Sequence, residues 1–320
     1  MSDIATSVRD AREWYAAWAQ SARERTVRAF ADRRRRLGLT AGPGLVWMLL
    51  LLLAPLTFMV TVSFLSVNEA YQIVWTPTTE NYRSLFSGTG PFWQTSFFHS
   101  LLLSYFIAVV TTVLALVLAF PLAYLLARRS GRFFKIVIFF VLLPFFTMYL
   151  VRAYSWYLMF GPSGVINATL LKLGVVGEPV AMFGYGIPAI IIGLTHAYFP
   201  YMLLSLYASM DGLDFSLLEA ARDLGASRLE VLKDVILPLI LPGIISGSLF
   251  VFVPSLGAFI TPRFLGQGKV LMIGQLIEAR INSLYAIGYG SAASMFIVVS
   301  IVIAFAVAFR YVSIEDLGGI

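Results

Sequence analysis

Residues 219–238 read Glu-Ala-Ala-Arg-Asp-Leu-Gly-Ala-Ser-Arg-Leu-Glu-Val-Leu-Lys-Asp-Val-Ile-Leu-Pro, a charged, helix-favouring stretch set between two long apolar segments. The flanks decide the fold class. Stretches without Asp, Glu, Lys or Arg include 37–68, 84–127, 136–151, 179–210, 235–262 and 281–309. A helix needs roughly 20 apolar residues to cross about 30 Å of hydrocarbon. Each stretch therefore holds one candidate span, near 43–65, 99–127, 136–158, 185–210, 239–262 and 288–310. Only 12% of the chain is charged and its mean hydropathy is +0.84, whereas soluble domains carry about 25% charged residues. The expectation is an all-α integral membrane protein with six transmembrane helices, its quoted stretch lying between spans 4 and 5.

Lys and Arg near helix ends mark the cytoplasmic side. With both termini inside, that side holds 17 of the 23 basic residues, and the other six are scattered singly. The bias places residues 211–234 in the cytoplasm and accounts for the net charge of +6 without a nucleic-acid partner. Arg33 to Arg36 stand directly before span 1, where anionic headgroups attract each by about 1 kcal/mol. Upstream, Val8, Ala11, Tyr15, Trp18 and Ala22 recur at helical spacing. Residues 1–36 thus suit a basic cytoplasmic segment with an amphipathic helix in the membrane interface, ahead of a transmembrane domain at 37–320. That segment has no apolar run and does not suit a secretory leader.

Within the loop, Leu217, Leu218, Ala221 and Leu224 are expected on one face of a short helix. Gly225 permits a backbone angle that a side chain resists, so the helix can end there. Ser227 with Glu230 three residues on is a capping-box pattern. Leu229, Leu232, Val235 and Ile236 line the second helix, and Pro238 interrupts it where the membrane begins. The product is a helix-Gly-helix hairpin with an apolar face exposed to the cytoplasm, and an exposed apolar face implies a partner.

The residues Glu219-Ala220-Ala221, Gly225 and Val235-Ile236-Leu237-Pro238 resemble the signature cytoplasmic loop of type I ABC-importer permeases. Two further segments are similar to polyamine-type members of that family. One is Leu150-Val151-Arg152-Ala153-Tyr154-Ser155-Trp156 with Gly164-Val165-Ile166-Asn167; the other runs Pro254-Ser255-Leu256-Gly257-Ala258-Phe259-Ile260-Thr261-Pro262-Arg263-Phe264-Leu265-Gly266. Together they cover roughly residues 40–310, and the spermidine/putrescine B-type subunit is the nearest type. The resemblance implies that Glu219, Ala220, Ala221, Asp223, Leu224 and Gly225 couple the chain to an ATPase subunit. It also implies a second homologous permease, two ATPase copies carrying ATP and Mg²⁺, an extracytoplasmic solute-binding protein, and a bacterial inner membrane.

The chain offers no motor of its own. Its nearest approach to Gly-x-x-x-x-Gly-Lys-[Ser/Thr] is Gly266-Gln267-Gly268-Lys269-Val270, with Arg263 where the first Gly belongs and Val270 where Ser or Thr would meet Mg²⁺. Neither an enzyme nor a resident cofactor or metal is expected: there are no cysteines, and His99 and His196 stand far apart. His196 suits a hydrogen bond between helices. An ion-coupled carrier would need ionisable groups deep in the membrane, at about 2.5–3.5 kcal/mol each. The spans hold essentially none at mid-depth, since Arg152 lies far enough beyond Lys135 to fall near the outer interface.

A polyamine would be held by carboxylates and aromatic faces, with cation–π contacts contributing about 0.5–2 kcal/mol each. The candidates for a path are Tyr154, Trp156, Tyr157, Tyr198, Phe252, Ser255 and Phe259, with Glu278 as the carboxylate. An interfacial aromatic belt and ordinary helix packing are the competing readings of the rings. Other small solutes such as opines, phosphonates, Fe³⁺ or sugars fit the same architecture.

Overall fold

The structure is a computed structural model describing residues 42–68, 72–88, 90–129, 131–180, 185–282 and 286–311. The interfacial helix expected within residues 1–36 lies outside these. The chain divides into two compact units at Thr61/Val62. In the first, the described residues form helix α1 (Gly42–Ser63), whose last two residues begin the second unit. Its apolar 22 residues are long enough to cross a membrane.

The second unit opens with a feature absent from the sequence expectations. Strands β1 (Leu65–Val67) and β2 (Ile73–Pro77) pair antiparallel, with Ser66 opposite Val74 and Val67 opposite Ile73. Asn81, on the short helix α2 (Glu80–Leu85), donates its Nδ2 hydrogens to the carbonyls of Ser63 (3.0 Å) and Leu65 (2.9 Å). The first carbonyl belongs to the last turn of α1 and the second to β1, and both bonds tie α2 to them.

Three helices build the frame: α3 (Ser96–Arg128), α7 (Ile187–Asp211) and α10 (Leu241–Leu256), each packed on the other two. The residues between them are small. On α3, Ser100, Ser104, Ala108, Thr111, Ala115, Ala119 and Ala123 recur at spacings of three or four and are all buried. Large apolar residues such as Phe106, Val113 and Val117 face outward. In lipid, burying a Leu against another helix gains little over burying it in acyl chains, so close backbone approach supplies the attraction. The same device appears on α10, where a Cβ added at Gly243 would stand 2.8 Å from the Ser205 carbonyl and one at Gly247 would stand 2.7 Å from Met202 Sδ. Gly243→Leu is therefore expected to lower stability by about 2 kcal/mol or more, read as a lower thermal midpoint in detergent. Gly257→Ala, where a Cβ meets open space, should leave that midpoint unchanged.

The remaining elements are α4 (Arg132–Leu142), α5 (Tyr149–Phe160), α6 (Val165–Lys172), α8 (Ser216–Asp223), a broken rod α9 (Arg228–Leu239), α11 (Ile260–Leu265), α12 (Ile273–Asn282) and α13 (Ile287–Tyr311). The helix α12 directly precedes α13. Its first amide, Ile273 N–H, donates to the buried Ser104 Oγ at 2.8 Å and pins it to α3.

Among the described residues, α1, α3, α7 and α13 are long and apolar enough to cross a membrane unbroken. The expected spans at 136–158 and 239–262 are instead bent pairs. Residues 132–146 and 149–172 meet at 97°, and residues 228–239 and 241–256 meet at 70°. Pro144 sits in a 3₁₀ turn at the first break, after which Thr147 and Met148 turn extended. At the second, a π-helical turn over Val231–Ile236 precedes Pro238, and Pro242 follows. Proline and π-turns are the ordinary causes of sharp kinks.

Candidate functional site

The hairpin of α8 and α9 hangs between α7 and α10. Its first helix begins where Asp214 accepts the Ser216 N–H at 3.0 Å; the Ser216 side chain first, and this backbone bond second, lower the Asp214 pKa. Phe215, just before α8, meets Tyr124 of α3 edge-on, and the Arg128 guanidinium lies 5.3 Å from the Phe215 ring. The end of α3 thereby holds the start of the hairpin.

Gly225 ends α8 as expected. Its φ is +92°, its N–H donates to the Arg222 carbonyl (2.9 Å), and the next N–H, of Ala226, donates to Ala221 (3.0 Å). This pair of bonds is a Schellman turn, which needs a left-handed residue at the glycine position. The capping box is also present: Ser227 Oγ accepts from the Glu230 N–H (3.3 Å), and Glu230 Oε2 accepts from the Ser227 N–H (2.7 Å).

That backbone bond first, and the Ser227 side chain second, lower the Glu230 pKa. A depressed folded-state pKa contributes stability above the unfolded value, and the contribution is lost as pH falls through the folded value. Protection of the Ser227 amide against hydrogen exchange, corrected for the intrinsic rate, should therefore be flat near neutrality and fall below the usual carboxylate range. Glu230→Gln should flatten that dependence.

The apolar stripe divides differently from expectation. Leu218 is buried and shares a core with Val231 and Ile236 of α9, Leu206 and Met210 of α7, and Leu126 of α3. Leu217, Leu224 and Leu229 stand 48%, 90% and 71% exposed. The cause is angular, because Leu218 lies about 100° around the helix from Leu217, so both cannot face the core. Glu219, Ala220 and Asp223 are exposed as well. The hairpin thus presents three uncovered leucines among charges, anchored from beneath.

The second candidate region is aromatic. Trp156 Nε1 donates to His196 Nδ1 at 3.2 Å, joining α5 to α7 as expected of His196 and requiring an imidazole whose Nδ1 is free to accept. Tyr154 stacks on Tyr157 (5.7 Å) and meets Phe264 of α11 (5.8 Å). Tyr198 stacks on Tyr149 (6.3 Å), whose hydroxyl shares a 2.6 Å hydrogen bond with Thr261 Oγ1. Four of the expected path residues, Tyr154, Trp156, Tyr157 and Tyr198, therefore line one region where α5, α7 and α11 meet.

The other four are dispersed. Phe252 faces away, against Tyr105 of α3 and Phe305 of α13. Ser255 is fully buried and its Oγ has no hydrogen-bond partner among the described residues. Phe259 is 42% exposed in the gap between α10 and α11. Glu278 is ion-paired to Arg263 at 2.8 Å.

Tyr149, Tyr201, Phe250 and Arg152 also belong to the aromatic region, the last two unforeseen there. Tyr201 stacks on Phe250 (6.4 Å) and meets Phe145 (5.0 Å). Arg152 lies over Phe145 and Tyr149 and within electrostatic reach of His196 and Tyr198, near the midpoint of α7. It stands in the first turn of α5, just after the 97° break, and not a straight rod's length beyond Lys135. The spacing Tyr149, Arg152, Trp156 at i, i+3 and i+7 was the available signal.

Comparison with known proteins places these features. The chain is 33% identical over 264 residues to the spermidine/putrescine transport system permease protein PotB of Haemophilus influenzae, covering 82% of this chain and 90% of that one. It is 34% identical over 249 residues to PotB of Escherichia coli, covering 78% and 88%. The fold matches a bacterial alginate ABC transporter, solved with an alginate pentasaccharide-bound periplasmic protein, at a TM-score of 0.61 and 19% identity over 86% of this chain and 93% of that one. The family of binding-protein-dependent transport system inner membrane components matches residues 39–314. With that match spanning the frame, the hairpin and the aromatic region together, the chain belongs to this family and is a permease of an ABC importer.

Proposed function

We propose that this chain is one transmembrane half of an ATP-driven importer that carries polyamines of the spermidine/putrescine class into the cytoplasm. A second permease completes the path, two ATPase subunits dock beneath, and a solute-binding protein delivers cargo from outside. The observation that carries the reading is the α8–α9 hairpin, whose underside is fixed to α3 and α7 while Leu217, Leu224 and Leu229 stay uncovered. Exposed leucines at a loop on the Lys/Arg-rich side fit a groove on a soluble partner. Residues Glu219 to Gly225 are the contact, and both bent pairs count as spans, giving six.

Closure of the ATPases on ATP would move α8 and α9 as one body, since the Schellman turn and capping box make the corner between them stiff. The short connections at 212–215 and at Ile240 pass that motion to α7 and α10, which line the aromatic region. ATP and Mg²⁺ act on the partner subunits. The relatives' polyamine cargo is supported here by the stacked rings of α5 and α7, which suit extended cations. Uptake of labelled spermidine and putrescine should vanish on deletion of the chain and return with the wild type. Unchanged uptake on deletion, in cells with no redundant importer, would contradict the cargo.

A further inference from the structure

Arg152 is a half-buried residue whose charge has no counter-charge among the described residues. Its guanidinium carbon lies 5.6 Å from the Tyr149 ring and 5.9 Å from the Phe145 ring, and its Nε and Nη1 atoms are buried with no hydrogen-bond partner. Both rings are tied to the middle of α7, Tyr149 through Tyr198 and Phe145 through Tyr201. An arginine has five N–H donors and cannot shed its proton, so burial cannot be relieved by neutralisation. The ring faces attract the cation but supply no in-plane acceptor for its N–H groups.

Among the described residues, every acidic side chain of the second unit lies at or beyond a helix end, or on the hairpin or outside the spans: Glu80, Glu178, Asp211, Asp214 and Glu278 are examples. The ion pairs they form are Glu80 with Arg83 and Glu278 with Arg263. A cationic cargo crossing the same depth needs carboxylates, and this chain brings a cation there instead.

We propose that Arg152 is a carboxylate receptor within the path, and that its occupant is an Asp or Glu side chain from a span of the partner permease. With no cargo present the two charges satisfy one another across the path, in the bidentate geometry that a guanidinium favours. An arriving ammonium group then competes with Arg152 for that carboxylate, so the arginine holds the site closed to water and yields it only to a cation. The competition step rests on the polyamine reading; the pairing itself does not.

The test uses the complete transporter, with both permeases, the ATPases and the binding protein. Arg152→Glu should lower uptake about tenfold or more, because two carboxylates then face one another. In that background, Lys placed at each span Asp or Glu of the partner in turn should restore uptake to within about threefold of wild type at one position. Failure of every such swap would overturn the pairing. So would Arg152→Gln with unchanged uptake and KM, which would mean that water alone satisfies the guanidinium, or a loss confined to carboxylate-bearing solutes, which would place the anion on the cargo.

A second readout is independent of cargo. The chain has no cysteine, so Arg152→Cys can be joined to a single cysteine at the rescuing position by a short homobifunctional thiol cross-linker, which bridges a gap too wide for a disulfide. A cross-link is expected, and its absence counts against the pairing. A complex that forms this cross-link, and whose wild-type form ignores spermidine and putrescine, would sink the polyamine reading and leave the pairing standing.

Discussion

Glu219→Lys is expected to lower cargo uptake by about tenfold or more while leaving the amount of protein in the membrane unchanged. The residue is exposed in the first turn of α8 and makes none of the contacts that hold the hairpin to α3 and α7. Exposed substitutions of this kind usually change stability by under about 0.5 kcal/mol, which is too little to remove the protein from the membrane. A tenfold functional loss corresponds to about 1.4 kcal/mol, a modest demand on a charge reversed against a docked partner. On the proposed docking, the deficit arises where the hairpin would meet the ATPase. Normal uptake with normal membrane levels would remove Glu219 from the coupling surface.

Gly225→Val should separate ATP hydrolysis from transport. The obstacle is conformational: a Cβ at this position meets no atom within 4 Å, yet φ is +92°. A left-handed residue other than glycine costs about 1–2 kcal/mol, and a β-branched one is a genuine outlier there. Relaxing that strain opens the Schellman turn, so Ala226 and Arg222 lose their bonds and the angle between α8 and α9 is no longer fixed. The ATPases would still cycle against a hinge that no longer transmits. Uptake should fall about tenfold with hydrolysis largely kept, and Gly225→Asn should lie between, since Asn tolerates left-handed backbone. Equal uptake and equal ATPase activity in the wild-type and Gly225→Val complexes would refute the rigid corner.

The hairpin is legible in sequence because its devices are local. Gly225 signals a left-handed turn by itself, Ser227 and Glu230 are three residues apart, and each needs only its neighbours to act. His196 as an interhelical hydrogen-bonding residue is legible too, because a lone imidazole in an apolar span has few other uses. What fails is whatever depends on distant elements. Which of Leu217 and Leu218 turns inward is decided by α3, α7 and α9, through the core that Leu218 joins.

The depth of Arg152 fails for a related reason. Counting residues from Lys135 at 1.5 Å per residue presumes a straight rod, and the break after Phe146 bends it by 97°. Phe252 reads as a path residue from its place in span 5, but α3 and α13 claim that face of α10. The small-residue stripe on α3 was open to inspection; hydropathy alone conceals it, since Ala counts as apolar whether it faces lipid or a neighbouring helix. The β1–β2 hairpin is short enough to vanish into the apolar flank of span 1.

The central claim is that the hairpin is where a separate ATPase takes hold of this chain. Because the chain has no cysteine, Leu224→Cys supplies a single reactive thiol at the most exposed leucine of the hairpin. With a homobifunctional thiol cross-linker and cysteines introduced around the ATPase groove, the assembled complex should yield one product joining permease to ATPase. Its yield should change on adding ATP, while a cysteine at Phe146, exposed in the membrane-level break, should give none. Cross-linking at Phe146→Cys with none at Leu224→Cys would contradict the account.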